Sequence, residues 1–570
     1  MKHLIIVGAG TAGTIAANRL RAALPPGELA ITVIDRDDVH PYQPGFLFLP
    51  FGKASARSLV KPRRAQLAAG IDVVLGEVDR VDPAAKTVTL TNGDTLTGDY
   101  LILASGVTPR PDRVEGMDGP QWGVTVHTFY TLPDAQRLAE ALRHFRGGRV
   151  VVHLTDMPIK CPVAPLEFTF LMESWLREHG IRDKTSLTYV TPLDAAFTKP
   201  VAAQMLGSTL TARGIDLETD FAVASLDNDT CELVSYDNRR IGFDLLVTIP
   251  LNMGADYVER SGIGDDLNLV PCDQHTMAAL GFDDVWVLGD GGTLQTSKAG
   301  SVAHFSIDTF MDNFLAAWRG APATHSFDGH SNCFVETGDG QAMLLDFNYE
   351  TQPYPGTFPF PLVGPLSLLK PSRLNHLGKL AFEWIYWHML LPGRKIPIPS
   401  AMSMIGKRII GDKAPAAAAP QASPAAARRA AAPKPKSAPA KAAAPTAAPV
   451  SVPSPAARSA IKLTTAVGTQ TIGGKEVSVD AEGFLTDYDQ WDEALGAELA
   501  KLIGIELTEE SWGPIRFLRS DYVERGETAT LRRVGNVGGF PIPRLFEWFP
   551  GKPAKEMAYI AGLPKPKGCV

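Results

Sequence analysis

Cys161 stands in the turn Ile159-Lys160-Cys161-Pro162-Val163-Ala164-Pro165, where a thiol can do sulfur chemistry. The apolar run Val150-Val151-Val152-His153-Leu154 precedes it, and an amphipathic pattern through Phe168, Leu171, Trp175 and Leu176 follows, so the turn reads as a strand-to-helix corner. In a dinucleotide-binding domain such a corner carries glycines, whose amides approach a pyrophosphate. Here it carries Met157, Pro158, Lys160, Cys161 and Pro162. Proline has no amide hydrogen, and the larger side chains obstruct close approach. NAD(P)H is therefore not expected at this corner, and a redox-active thiol is. The bland alternative is a buried, inert cysteine. The chain has five cysteines, at 161, 231, 272, 333 and 569, an odd and sparse set that does not form a disulfide scaffold. Cys231, in a polar strand-like stretch, and Cys272, in a turn, read as structural. Lys160 and His304 are cations that would depress a thiol pKa if they lay beside it.

The elements that must position such a thiol begin at the N-terminus. Leu4–Val7 reads as a strand, Gly8-Ala9-Gly10-Thr11-Ala12-Gly13 follows it, and a helix runs through Ile15, Ala16 and Leu20. A second strand, Ala30–Ile34, ends at Asp35-Arg36. Gly8 makes the tight turn, Gly10 admits the pyrophosphate, Gly13 permits close helix–strand packing, and Asp35 can accept from ribose hydroxyls. Leu101–Leu103 leads into Ala104-Ser105-Gly106, and Val285–Leu288 leads into Gly289-Asp290. In flavoproteins with two dinucleotide-type domains an Asp at the latter place bonds the ribitol, and the set together implies FAD. Lys298 and Ala299 complete the expected cofactor residues.

Residues 1 to about 412 resemble the sulfide:quinone oxidoreductases and the related flavocytochrome c sulfide dehydrogenase flavoproteins. The matching pieces are Tyr42-Gln43-Pro44-Gly45-Phe46, Lys160-Cys161-Pro162, Lys298-Ala299-Gly300-Ser301-Val302-Ala303-His304-Phe305 and Asn332-Cys333-Phe334. The resemblance implies that Cys161 and Cys333 form a redox pair on one face of the flavin, cycling between dithiol, disulfide and sulfur-bridged forms. Some relatives bind FAD through a further cysteine. None precedes Cys161 here, so non-covalent FAD is expected. The fold class implied is α/β: an FAD-binding Rossmann-like domain over 1–150, completed by about 280–325, and a second Rossmann-like domain over 151–280 without a nucleotide glycine loop. Residues 326–412 would then bear the second redox cysteine and a membrane-facing segment.

Within that segment, Leu380–Leu391 is apolar and aromatic but too short to span a bilayer. With Lys379, Arg394, Lys395, Lys407 and Arg408 around it, it suits a helix lying among lipid headgroups. The alternative is a helix buried against the flavin domain. Phe382, Trp384 and Tyr386 are expected to line the path of a membrane quinone, the electron acceptor that the resemblance implies.

Residues 413–460 are Ala, Pro, Ser and Lys/Arg without an acid, so a disordered linker is expected. It would span about 40 Å as a flexible coil and about 150 Å as polyproline. It could be a tether for a carried group or a passive spacer. Residues 461–570 can hold one small core, mainly helical, with Thr508 capping a helix that has acids in its first turn. The chain closes in Ala561-Gly562-Leu563-Pro564-Lys565-Pro566-Lys567-Gly568-Cys569-Val570, expected to be a flexible arm with a penultimate cysteine. This region resembles the DsrC/TusE sulfur-carrier family, in which the penultimate cysteine carries a persulfide. Members with an internal disulfide have a second cysteine eleven residues earlier. Ala558 stands there, so Cys569 should act alone. Ser511 replaces the histidine usual in the family's Glu-Glu-His-Trp segment.

The net charge of −7 gives no sign of nucleic-acid binding, and no metal is expected. The start, MKHLIIVGAG, lacks the layout of a signal peptide. A cytoplasmic protein is expected, peripheral on the inner face of the cytoplasmic membrane. The expected function is an FAD-dependent oxidation of sulfide or a low-molecular persulfide by quinone, with the sulfane sulfur passed to Cys569. Sulfurtransferases of a sulfur relay are the expected partners, and homo-oligomers are compatible. Two alternatives remain. The flavoprotein could act on a persulfide already loaded on Cys569, or the chain could be a relay interaction protein.

Overall fold

A computed structural model describes residues 1–396, 398–409, 468–480 and 482–565. Residues 413–460, read as a linker, and Cys569 lie outside the described residues. The chain forms two units, one ending at Ile409 and the other running through the carrier region.

In the first unit the β-branched run Lys2–Val7 becomes the middle strand of a five-stranded parallel sheet. The order is Val285–Val287, Tyr100–Leu103, Lys2–Val7, Leu29–Asp35, Asp72–Leu75. Ile6 pairs with Val33 on one side and Ile102 on the other. The Thr11–Ala23 helix starts directly after the glycine turn and buries Ile15, Ala16 and Leu20. The completing strand returns from far along the chain, so residues around Gly289 and Asp290 sit at the same sheet edge as Ala104 and Gly106.

A second parallel sheet has the order Val126–His127, Leu245–Ile249, Gly148–Leu154, Thr185–Val190, Asp216–Glu218. Val126 and His127 pair with Leu246 and Val247, so the second layer begins well before residue 150. The boundary expected at 150 therefore moves toward the antiparallel connection Val107–Arg110 with Leu251–Gly254, where the chain crosses between the sheets. The Ala164–Glu178 helix after the thiol turn also departs from expectation. It is not amphipathic in use, because every residue from Ala164 to Leu176 is buried. A helix enclosed all round sits between layers rather than on a surface.

A third sheet, Ser331–Gly338, Gln341–Phe347, Leu366–Leu368 and Gly356–Phe358, carries Cys333 on its first strand. The Arg373–Ile385 helix packs on it and continues into a π-helical turn, Tyr386–Leu390.

The carrier unit opens on a hairpin, Gly468–Ile472 with Lys475–Val479, followed by a short 3-10 turn and five α-helices among the described residues. Its core joins Ile515, Leu518, Leu545, Phe549, Met557 and Ile560. Ala558 is fully buried in the last helix, Pro553–Ile560. The first residues of the expected flexible arm are packed instead. Ala561 and Leu563 are buried, and Thr528 Oγ1 donates to the Pro564 carbonyl at 2.7 Å. Cys231 also differs from expectation: it occupies a hairpin turn at φ 52°, not a strand.

Thr508 caps the Glu509–Arg525 helix through a reciprocal pair. The Ser511 amide donates to Thr508 Oγ1 at 3.2 Å, and the Thr508 amide donates to Ser511 Oγ at 2.8 Å. The serine that replaces the family's histidine thus closes a capping box. Thr508→Ala is expected to cost about 1 kcal/mol, read as a lower calorimetric midpoint for the carrier transition in the full chain.

Candidate active site

The glycine turn has the shape that a pyrophosphate requires. At Gly8, φ is +102°, and an added Cβ would lie 2.5 Å from the Ala104 carbonyl oxygen. At Gly13 it would lie 1.9 Å from the Gly8 oxygen. Gly10 differs, since nothing lies within 4 Å of its would-be Cβ. It also caps a helix with no side-chain cap and no acid in the first turn. The open space and the helix amides form an anion cradle. Asp35 takes part locally as well as potentially: its Oδ2 accepts from the Ala9 amide at 2.7 Å and pairs with Arg63 at 3.2 Å. Arg36 is exposed, with its guanidinium toward Asp37 at 3.6 Å.

At the other end of the crevice, Gly289 adopts φ +78° and Gly106 φ +67°. Asp290 follows, its carboxyl pushed up by burial, with Lys298 and Lys160 pulling the other way. Lys298 Nζ donates to the Asp290 and Gly292 carbonyls at 2.8 and 2.9 Å, which folds the loop back on itself. Ala299 then caps the Gly300–Trp318 helix without a side-chain acceptor, leaving a second set of first-turn amides unclaimed by any cap. Both helix starts, the Gly10 space and Asp290 fit an extended dinucleotide such as FAD.

The thiol turn is tied to this loop. The Cys161 amide donates to the Lys298 carbonyl at 2.8 Å, and the Cys161 carbonyl accepts from the Ala164 amide, starting the buried helix. Tyr130 Oη donates to the Lys160 carbonyl at 2.7 Å. Cys161 itself has φ 48°, a left-handed conformation that costs a side-chain-bearing residue about 1 kcal/mol. Strain of this kind, held by hydrogen bonds on both sides, marks a position fixed by its surroundings. All four cysteines among the described residues are thiols.

Cys161 and Cys333 share one electrostatic environment. Burial pushes the Cys161 thiol up; Glu167 and Cys333 add to the rise and Lys379 opposes it. Cys333 is pushed up to about 11, again mainly by burial, with Glu167 adding and Ser331 and Lys379 opposing. Lys379 also forms an ion pair with Glu167, and Glu167 Oε1 accepts the Glu336 amide at 2.7 Å. The thiols are therefore not activated by Lys160 and His304 as the sequence suggests. Lys160 Nζ donates to Gln43 at 2.9 Å, and His304 is buried nearer Asp308 and Arg19. The cation acting on both sulfurs is Lys379, from the helix expected to lie on lipid. Glu167 is the residue that sequence reasoning missed. Its signature is an acid inside the apolar run Leu166–Leu171.

The expected quinone-lining set divides. Residues two apart on a helix point to opposite sides, and residues four apart to the same side. Phe382 packs partly against the core and Tyr386 is buried, whereas Trp384 is 60% exposed. Tyr386 belongs to the glycine turn: its hydroxyl meets His40 Nε2 at 2.7 Å and Thr11 Oγ1 at 2.8 Å. Burial pushes the His40 pKa down to about 4, so its ring is neutral at pH 7. It can donate from Nδ1 to the Ala9 carbonyl and accept from Tyr386. Lys407 is likewise turned inward onto Asp346. What faces outward is a stripe, Leu374, Leu377, Leu380 and Trp384, with Phe360, Leu362 and Val363 (81% exposed) on a nearby loop. Cys272 is buried beside Thr293. Among the described residues no group of three metal-ligating side chains converges, and no helix is long and apolar enough to cross a membrane.

Known proteins match both units. Residues 471–570 match the family described as DsrC like protein, and residues 2–153 match Pyridine nucleotide-disulphide oxidoreductase. Sulfurtransferase TusE of Salmonella typhimurium (strain LT2) is 38% identical over 104 residues, covering 17% of this chain and 95% of that protein. The chain belongs to the DsrC-like family through its C-terminal domain. The N-terminal part is homologous to sulfide:quinone oxidoreductases. The mitochondrial one of Dictyostelium discoideum is 24% identical over 397 residues, covering 69% of this chain and 86% of that protein. The structure of the Aquifex aeolicus sulfide:quinone oxidoreductase superposes with a TM-score of 0.58 at 19% identity, over 69% of this chain and 92% of that one, and shows the shared fold. The DsrC-like domain is thus fused to an FAD-dependent oxidoreductase of sulfur metabolism.

The charges around the thiols set opposite expectations for two variants. At mildly alkaline pH, Glu167→Gln removes a negative neighbour, lowers both thiol pKa values and speeds alkylation of Cys161 and Cys333 by iodoacetamide severalfold. Lys379→Met slows it. Mass spectrometry of the two peptides reads both.

Proposed function

We propose that this protein oxidises sulfide, or a low-molecular persulfide, with membrane quinone as the final oxidant, and delivers the sulfane sulfur to Cys569 of its DsrC-like domain. The observation that supports this best is the shared environment of Cys161 and Cys333, held against the Asp290–Lys298 loop and facing Glu167 and Lys379. In the oxidised state the two cysteines form a disulfide. Hydrosulfide attacks one sulfur, breaking that S–S bond and forming another, which leaves a persulfide on one cysteine and a thiolate on its partner. The Cys569 thiol then attacks the sulfane sulfur and departs as a persulfide anion, while its proton and that of the hydrosulfide pass to the two site cysteines, which end as thiols. Reclosing the pair gives up two electrons. FAD, when bound, supplies the two-electron acceptor and passes the pair to quinone.

Gly8, Gly10, Gly13 and Asp35 would hold the adenosine and pyrophosphate side; Arg36 lies at its outer edge. Ala104, Gly106, Gly289, Asp290, Lys298 and Ala299 would hold the remainder without a covalent link. The outward stripe, with exposed Arg394, Lys395 and Arg408 nearby, supports docking on a membrane surface, here proposed as the inner face of the cytoplasmic membrane. Trp384 would meet lipid and Phe382 would lie beneath it, toward the quinone.

Three outcomes follow. After turnover with sulfide and quinone, mass spectrometry should find an added sulfur on Cys569. Cys569→Ser should instead release the sulfur as soluble polysulfide; undiminished persulfide delivery to an acceptor thiol by this variant would contradict the handover. For docking, Leu377→Glu together with Trp384→Glu should reduce cosedimentation with anionic lipid vesicles about tenfold or more.

A further inference from the structure

Reclosing two thiols into a disulfide gives up two protons as well as two electrons; Cys333 is buried and Cys161 only partly exposed. Glu167 is placed to receive protons. Its Oε1 accepts from Lys379 and the Glu336 amide, while its Oε2 is buried with no hydrogen-bond partner. Beyond Glu167, titratable groups continue in one direction. Burial lowers the Lys379 pKa, and Glu167, Cys161 and Glu336 together outweigh it. One turn back on the same face of its helix is His376. His376 Nδ1 lies 2.9 and 3.0 Å from the two oxygens of Glu336. Glu336 is buried, and His376 is the most exposed member of the series, at 20% against 11% for Lys379.

Other charged groups around the thiol helix are committed elsewhere. Glu173 is held by Arg177 and Arg213 near its far end, together with Asp339. Lys298 is locked on two carbonyls, and Lys160 on Gln43. The other neighbours of Lys379 Nζ are the Phe334 carbonyl at 3.5 Å and the Phe48 ring at 5.6 Å, neither of which titrates.

We propose that Glu336 and His376 are the outlet of a proton path that runs from Cys161 and Cys333 through Glu167 and Lys379 to water at the outer helix. This rests on the sulfide-oxidising reading. The balance is one hydrosulfide and one Cys569 thiol giving a Cys569 persulfide anion, two electrons and two protons. The electrons reduce quinone to quinol with two protons drawn from water on the quinone's side, and the two protons of the site leave by way of His376. Glu336 and His376 touch no reacting atom and act through Glu167 as positioning residues.

His376→Gln keeps a donor toward Glu336 but cannot carry a proton, and at a partly exposed position it should fold. In stopped flow with a pH indicator, proton release from this variant should lag sulfide-driven flavin bleaching by about tenfold or more. Added imidazole should remove the lag, which a merely structural defect would not allow. Glu336→Gln should lag without imidazole rescue. Release that keeps pace with the unsubstituted protein in both variants would overturn the path. A second readout needs no sulfide: after a pH jump, relaxation of the ultraviolet thiolate absorbance should slow in His376→Gln and recover with imidazole. If sulfide fails to bleach the flavin yet this relaxation slows, the sulfide reading fails and the path stands. Bleaching with unslowed relaxation overturns the path alone.

Discussion

The ion pair between Glu167 and Lys379 is the constraint on which the active site depends. It joins the buried thiol helix to the outer helix, and the Glu336 amide draws in the strand that bears Cys333. Stripping either charge of its partner in such an interior costs about 3–5 kcal/mol. The pair therefore fixes three elements together, and it sets the field on both sulfurs. Burial and the carboxylate hold the thiols protonated, while the ammonium works the other way. A thiol held neutral is a poor spontaneous nucleophile, which keeps the resting dithiol inert until charge in the site changes.

The two parallel sheets show what a few residues change. The first ends in glycines that leave an anion cradle at Gly10. The second has the same strand-to-helix corner, but its chain is drawn toward the first domain by the Cys161 amide on the Lys298 carbonyl. Where a nucleotide loop would stand, the corner offers a strained cysteine. The π-helical turn at Tyr386–Leu390 ties the outer helix back to the cradle through Thr11 and His40. The cofactor crevice, the thiol pair and the apolar stripe are thus parts of one packed unit.

Local grammar made much of this legible. Gly8, Gly13, Asp35 and the Thr508 cap could be placed from their neighbours because their roles depend on adjacent residues. The direction of side chains on the outer helix was not legible. Lys379, Lys407 and Tyr386 look like interface residues by type, yet each turns inward because a distant partner, Glu167, Asp346 or His40, supplies its charge or hydrogen bond. The domain boundary near 150 failed for a related reason: Val126 and His127 are too short a strand to announce themselves, and only pairing with Leu246 and Val247 assigns them.

The carrier domain adds a single cysteine beyond a well-anchored helix, with Ala558 closing the core where a second thiol would be needed for an internal disulfide. Cys569 therefore cannot close a disulfide with that position of its own domain. The most direct test is an anaerobic titration of the purified protein, following flavin absorbance as sulfide and then a soluble quinone are added. Bleaching by sulfide, recovery with quinone, and loss of bleaching in Cys161→Ser and Cys333→Ser are the predicted results. A flavin that sulfide leaves oxidised, or that bleaches equally without either cysteine, would contradict the account.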